Sequence, residues 1–135
     1  MATKVLDSWA LLAFFEDEPA AGQVEHLLTR AELGAHKLLL CVVNWGEIYY
    51  NIMRKVSVEA AEQKALEIAA MPVELVPVET DLQLARLAAI YKAAGKLAYA
   101  DAFAAALARL RKAELVTGDP DFKTVESEIK IAWLR

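Results

Sequence analysis

Five carboxylates and one hydroxyl are the residues whose types and positions could do chemistry in this 135-residue chain. Asp7 follows the short apolar pair Val5-Leu6, Glu47 stands three residues after Asn44, and Asp101 lies inside the apolar run from Tyr99 to Leu107. Thr117, Asp119 and Asp121 occupy the stretch from Glu114 to Phe122, whose Thr-Gly-Asp-Pro core is built of turn residues. Taken singly, most have an ordinary reading. Asp7 can cap a helix, Glu47 can complete a capping box with Asn44, and Asp119 and Asp121 can shape a turn around Pro120. Asp101 is harder to dismiss. An ionised carboxylate in an apolar helix is costly unless it is paired or holds a cation, and no Lys or Arg stands three or four positions away on its helix. Its place near the helix start offers some compensation from the helix dipole.

Joint placement weighs more than any single residue. Asp7 and Asp119 follow strands, and Glu47 and Asp101 fall in the first turns of helices expected to begin at the same sheet edge. Carboxylates gathered there would raise one another's pKa unless cations held them. A ligand set of oxygens, without a His or Cys cluster, suits Mg2+ or Mn2+. The chemistry supported by such a set is phosphoryl-ester hydrolysis, in which the cation binds the scissile phosphate and lowers the pKa of water.

The elements that must position these groups alternate along the chain. Lys4-Val5-Leu6 reads as a strand, and residues 8–15 as a helix with Ala10, Leu11, Phe14 and Phe15 inward. A second helix is expected over residues 20–33, stopped by Gly34. Leu38 to Val43 is apolar at every position, as in a strand covered on both faces. Asn44 is then expected to cap a helix carrying Ile48, Ile52 and Met53, and Ser57 to cap the next one, through about residue 70. Residues 73–78 suggest a strand that Pro77 shortens, favouring an edge position or a strand end. A helix is expected from Thr80 or Asp81 to Ala94, ended by Gly95, and a buried one from Leu97 or Ala98 to Arg111. A short helical piece to Ser127 and a last strand over residues 129–134 complete an α/β fold. The predicted architecture is a three-layer α/β/α domain over residues 1–135 with a mainly parallel, doubly wound sheet.

Composition narrows the classes. Apolar residues make up 57% of the chain, above the usual share of about 45–50%, so a large core is expected. No charge-free run approaches the length of a membrane span, and no signal peptide is visible at the start. The lone Cys41 builds neither a disulfide framework nor a thiolate metal site, and cytoplasmic conditions suit it. A net charge of −4 argues against a simple DNA-binding module. His26 and His36 read as surface or rim residues, lacking partners at metal-binding spacing. Arg54, Lys55, Lys92, Lys96 and Lys123 could bind the phosphates of a substrate or serve as solvated helix ends. Trp45, Tyr49 and Tyr50 could stack bases or pack in the core or a dimer contact.

Four segments in order, Val5-Leu6-Asp7-Ser8, Asn44-Trp45-Gly46-Glu47, Tyr99-Ala100-Asp101-Ala102-Phe103 and Val116-Thr117-Gly118-Asp119-Pro120-Asp121-Phe122, resemble the PIN-domain nucleases. In particular they resemble the VapC-type ribonuclease toxins. The resemblance implies a metal-dependent RNA endonuclease with Asp7, Glu47, Asp101 and Asp119 as its acidic, Mg2+- or Mn2+-binding site. It further implies that Thr117 orients a ligand or water and that Asp121 is a peripheral or second-metal ligand. A homodimer and a cognate antitoxin protein are implied partners. Trp9 departs from the commoner pattern, in which a smaller residue follows Asp7-Ser8. A phospho-receiver domain would need an acceptor Asp after the central strand, and residues 73–80 have none. A haloacid-type phosphatase would need a second Asp where Trp9 stands. A housekeeping RNA-processing nuclease and an idle PIN interaction module remain as alternatives.

Overall fold

The computed structural model describes residues 2–95 and 97–135. Its strands are β1 (Ala2–Leu6), β2 (His36–Cys41), β3 (Val73–Val76), β4 (Glu114–Thr117) and β5 (Ile131–Trp133). They form one sheet in the order β3-β2-β1-β4-β5, and every pairing is parallel. The helices are α1 (Ser8–Phe15), α2 (Ala21–Glu32), α3 (Val42–Lys55), α4 (Val58–Ala69), α5 (Gln83–Ala94) and α6 (Tyr99–Leu110), with a 3-10 helix at Pro120–Val125.

Strand alternation sorts the side chains into two cores. Val5, Leu39, Cys41 and Leu115 face α5, α6 and the 3-10 helix, and pack with Ala88, Tyr91, Phe103, Leu107 and Phe122. Leu6, Leu38, Leu40 and Val116 face the other way, against Ala10, Leu11, Val24, Leu28, Ile48, Ile52, Ala61 and Ile68 from α1 to α4. The expected three-layer, doubly wound arrangement is therefore observed. Residues 102–108 of α6 are buried at every position, which explains their apolar sequence.

Several boundaries differ from expectation. Strand β2 starts and stops earlier than the apolar run, because its ladder ends where Leu6 meets Leu40 and Val76 meets Cys41. Val42 and Val43 are already the first turn of α3, and the helix is capped by Cys41 without a side-chain bond. Asn44 is thus inside the helix and not its cap, and Glu47 lies in the second turn and not in a capping box. His36 opens β2 as a buried residue, its Nε2 3.0 Å from the Leu27 carbonyl oxygen, so the expectation of a loop or rim histidine is corrected. His26 is exposed, as expected. Helix α5 starts at Gln83 after Leu82 in a left-handed conformation with φ 66°, with Asp81 accepting from the Gln83 N–H at 3.1 Å. Ser57 caps α4 as expected, accepting from the Ala60 N–H at 3.0 Å. The final strand contracts to three residues, with Ile129 buried ahead of it.

Candidate active site

In the strand order β3-β2-β1-β4-β5 the chain winds outward from β1 in one direction and returns through β4 in the other. The crevice between the carboxyl ends of β1 and β4 is the topological switch point, where α/β sheets place their ligand sites. Leu6 pairs with Val116 in register, so Asp7 and Thr117 leave the sheet side by side.

Asp7 is fully buried and caps α1, its Oδ1 accepting from the Ala10 N–H at 2.9 Å. Its Oδ2 accepts from the Thr117 hydroxyl, and Thr117 Oγ1 accepts in turn from the Asp119 N–H at 3.0 Å. Asp119 caps the 3-10 helix by accepting from the Asp121 N–H at 2.9 Å. A continuous hydrogen-bonded chain therefore runs from β1's end through β4's end to the 3-10 helix. Asp101 enters from the first turn of α6 and Glu47 from α3.

The electrostatics identify these groups as one neighbourhood. The Asp7 carboxyl is pushed up to about 8, chiefly by burial and with smaller contributions from Asp101 and Asp119, against the lowering effect of its Thr117 and Ala10 hydrogen bonds. Asp101 is raised to about 7, first by burial and then by Glu47, Asp119 and Asp121. Among the described residues, none of these five acids forms an ion pair. Nor do three His, Cys, Asp or Glu side chains among the described residues stand together as a finished ion cage. The acids act on one another across the crevice without closing on a common point. Their all-oxygen donor set and their uncompensated mutual repulsion both fit a hard divalent cation.

The basic residues are scattered. Lys55 pairs with Glu16 at 3.1 Å, and Arg54 lies over the Tyr50 ring, both at the far end of α3 from its site-facing start. Lys92 donates to the Leu97 carbonyl at 3.0 Å, beside the entry to α6. Lys123 is exposed on the 3-10 helix, two residues past Asp121, and Lys96 lies outside the described residues. Trp45 stacks on Tyr49 with centroids 5.3 Å apart, against the core of α1 to α4, while Tyr50 is exposed.

Two residues at the site were given other roles, or none, by the sequence. Gly118 packs against Trp9 so closely that a Cβ there would stand 2.3 Å from the indole ring. Asn44, read above as a cap, is fully buried and bonded to Ser8 and Ala100, the sequence neighbours of Asp7 and Asp101. A polar residue three positions beyond a buried strand was the available signal.

The PIN domain family matches residues 4–128. The chain belongs to the PIN domain family. Solved structures share its fold. VapBC from Salmonella typhimurium, bound to DNA, superposes with a TM-score of 0.74 at 15% identity, over 98% of each chain. VapBC2 from Rickettsia felis, bound to a promoter DNA fragment, gives 0.72 at 15% identity, over 98% of this chain and 99% of that one. VapC20 from Mycobacterium tuberculosis, a toxin that cleaves the sarcin-ricin loop, gives 0.70 at 16% identity, over 90% of this chain and 94% of that one. No curated protein sequence matches the chain. These likenesses place the PIN fold across the whole alternation of strands and helices.

Proposed function

We propose that this PIN domain is a metal-dependent endoribonuclease and the toxin of a toxin–antitoxin pair. The observation that supports the reading is the place of Asp7 and Asp101 at the switch-point crevice, both pushed well above the usual carboxylate range, first by burial and then by neighbouring acids. Asp7, Glu47, Asp101 and Asp119 would hold Mg2+ or Mn2+. When bound, such a cation neutralises the phosphate and lowers the pKa of the attacking water.

The chain's own residues do the positioning. Thr117 orients Asp7 through its hydroxyl and is itself held by the Asp119 N–H. Asp121 is peripheral, its backbone N–H serving as the donor to Asp119. Lys123 and Lys92, on elements that flank the acids, are the better candidates for RNA phosphates. Lys55 is already engaged by Glu16, and Arg54 lies beside it at the end of α3, so both are weaker candidates.

VapBC-5 from Mycobacterium tuberculosis, a solved structure of the same fold, is a member of the VapBC family of toxin-antitoxin systems, and VapC20 is a toxin that cleaves the sarcin-ricin loop. By that likeness we infer a cognate antitoxin, and we propose in addition a homodimer acting in the cytoplasm. Among the described residues no helix is long and apolar enough to cross a membrane.

The test is incubation with structured RNAs in Mg2+ or Mn2+, beside EDTA and an Asp101→Asn control. Cleavage abolished by both is expected, as is growth arrest on expression without a partner. Cleavage that survives both controls refutes the site. Folded protein that cleaves no RNA leaves an idle interaction module as the reading, and active protein that leaves growth unimpaired favours a housekeeping nuclease.

A further inference from the structure

Asn44 is the third residue of α3 and is fully buried. Its Nδ2 donates to Ser8 Oγ at 3.2 Å and to the Ala100 carbonyl oxygen at 3.0 Å, while Ser8 Oγ donates back to the Asn44 carbonyl at 3.2 Å. The Ala100 carbonyl can only accept, so it settles which end of the amide faces it. One side chain is therefore bonded to the residue after Asp7 and to the residue before Asp101. It also stands three positions before Glu47 on the same helix, the spacing that places two residues on one face.

Asn44 Oδ1 is buried without a partner, the one such side-chain N or O atom among the described residues. An orphaned buried acceptor costs stability, and its retention calls for a functional reason. Capping does not supply one, because α3 begins before Asn44 and Cys41 occupies its cap.

We propose that Asn44 is a positioning residue that sets the spacing of the acids on α1, α3 and α6. The inference rests on the nuclease reading above. Asp7 caps α1, Asp101 lies in the first turn of α6 and Glu47 in the second turn of α3; Asp101 repels Asp7, Glu47 repels Asp101, and ligand binding needs their separation held precisely. The Asn44 clamp ties α1 and α6 to α3 directly beside Asp7 and Asp101. Its loss lets those carboxylates relax apart, which weakens cation binding while leaving the RNA-binding surface in place.

The experiment compares wild type with Asn44→Leu and Ser8→Ala. Mn2+ binding is measured by titration calorimetry, folding by circular dichroism in EDTA, and kcat and KM by RNA cleavage. Removing a partner that orients a metal ligand typically weakens affinity about 10–100-fold. Asn44→Leu is expected to fold, to bind Mn2+ at least tenfold more weakly and to lose kcat with KM for RNA little changed. Ser8→Ala removes one arm of the clamp and is expected to fall between. If Asn44→Leu does not fold, Ser8→Ala decides by the same readouts. Folded variants with wild-type Mn2+ affinity and kcat overturn the inference alone. Wild type that neither binds Mn2+ nor cleaves RNA overturns the nuclease reading, and the inference with it.

Discussion

The buried Asp7 carboxyl makes a quantitative claim about stability. Folding carries this group from an ordinary 3.8 up to about 8, with burial as the first cause. A carboxyl whose pKa is raised in the native state contributes its full stability below the unfolded value, and loses it as pH climbs through the folded value. The metal-free protein should therefore weaken between about pH 4 and pH 8. At about 1.4 kcal/mol per tenfold change, the native-state penalty at pH 8 reaches roughly 5 kcal/mol as an upper bound. Asp7→Asn keeps the shape and removes the charge. Urea unfolding in EDTA should show the variant about 3–5 kcal/mol more stable than wild type at pH 8 and equal to it near pH 4. With Asp101 moved in the same direction, some pH dependence should persist in the variant. A variant no more stable than wild type at pH 8, with matching values at pH 4, would refute the reasoning, because the buried charge would then carry no penalty. The same substitution should abolish cleavage, so one change separates stability from function in opposite directions.

Other expectations follow from individual contacts. Thr117→Val removes a hydrogen bond that lowers the Asp7 carboxyl; carbon-13 NMR should find Asp7 titrating at higher pH, and an unchanged midpoint would count against the bridge. Gly118→Ala drives a methyl into the Trp9 ring, where the built Cβ stands 2.3–2.7 Å from three ring carbons. A loss of about 1–3 kcal/mol is expected, and a double-mutant cycle with Trp9→Ala should recover much of it. Phe122 is fully buried beside exposed Asp121, so Phe122→Ala should cost about 3–5 kcal/mol, read as a lower urea midpoint.

Much of the architecture was legible because local patterns and tertiary demands agree. The apolar run Leu38–Cys41 of β2, the Leu115-Val116 pair of β4 and the apolar α6 announce burial on both sides, and burial on both sides requires helices on both faces of a parallel sheet. Gly34, Ser57 and Gly95 punctuate helices for reasons of backbone conformation and capping that act within a few residues. Of the acids only Asp101, amid apolar neighbours, lacked a bland explanation of its own; Asp7, Glu47 and Asp119 drew notice through their joint placement and the order of their segments.

Asn44 marks where local reasoning stopped. Asn followed three residues later by Glu is a capping signal, but the choice between strand and helix for Val42 and Val43 depends on where the neighbouring strands end. Once the ladder ends at Cys41, the cap moves upstream and Asn44 turns inward to Ser8 and Ala100. His36 was misread likewise, since its burial depends on the Leu27 carbonyl of a preceding helix. By itself the sequence determined which residues are acidic, which runs are apolar and where the chain turns, because side-chain chemistry and short-range backbone preference are written locally. Only the tertiary structure decided that the order β3-β2-β1-β4-β5 opens a crevice between β1 and β4. Strand order, and with it the burial and mutual repulsion of Asp7 and Asp101, arises from contacts between segments distant in sequence.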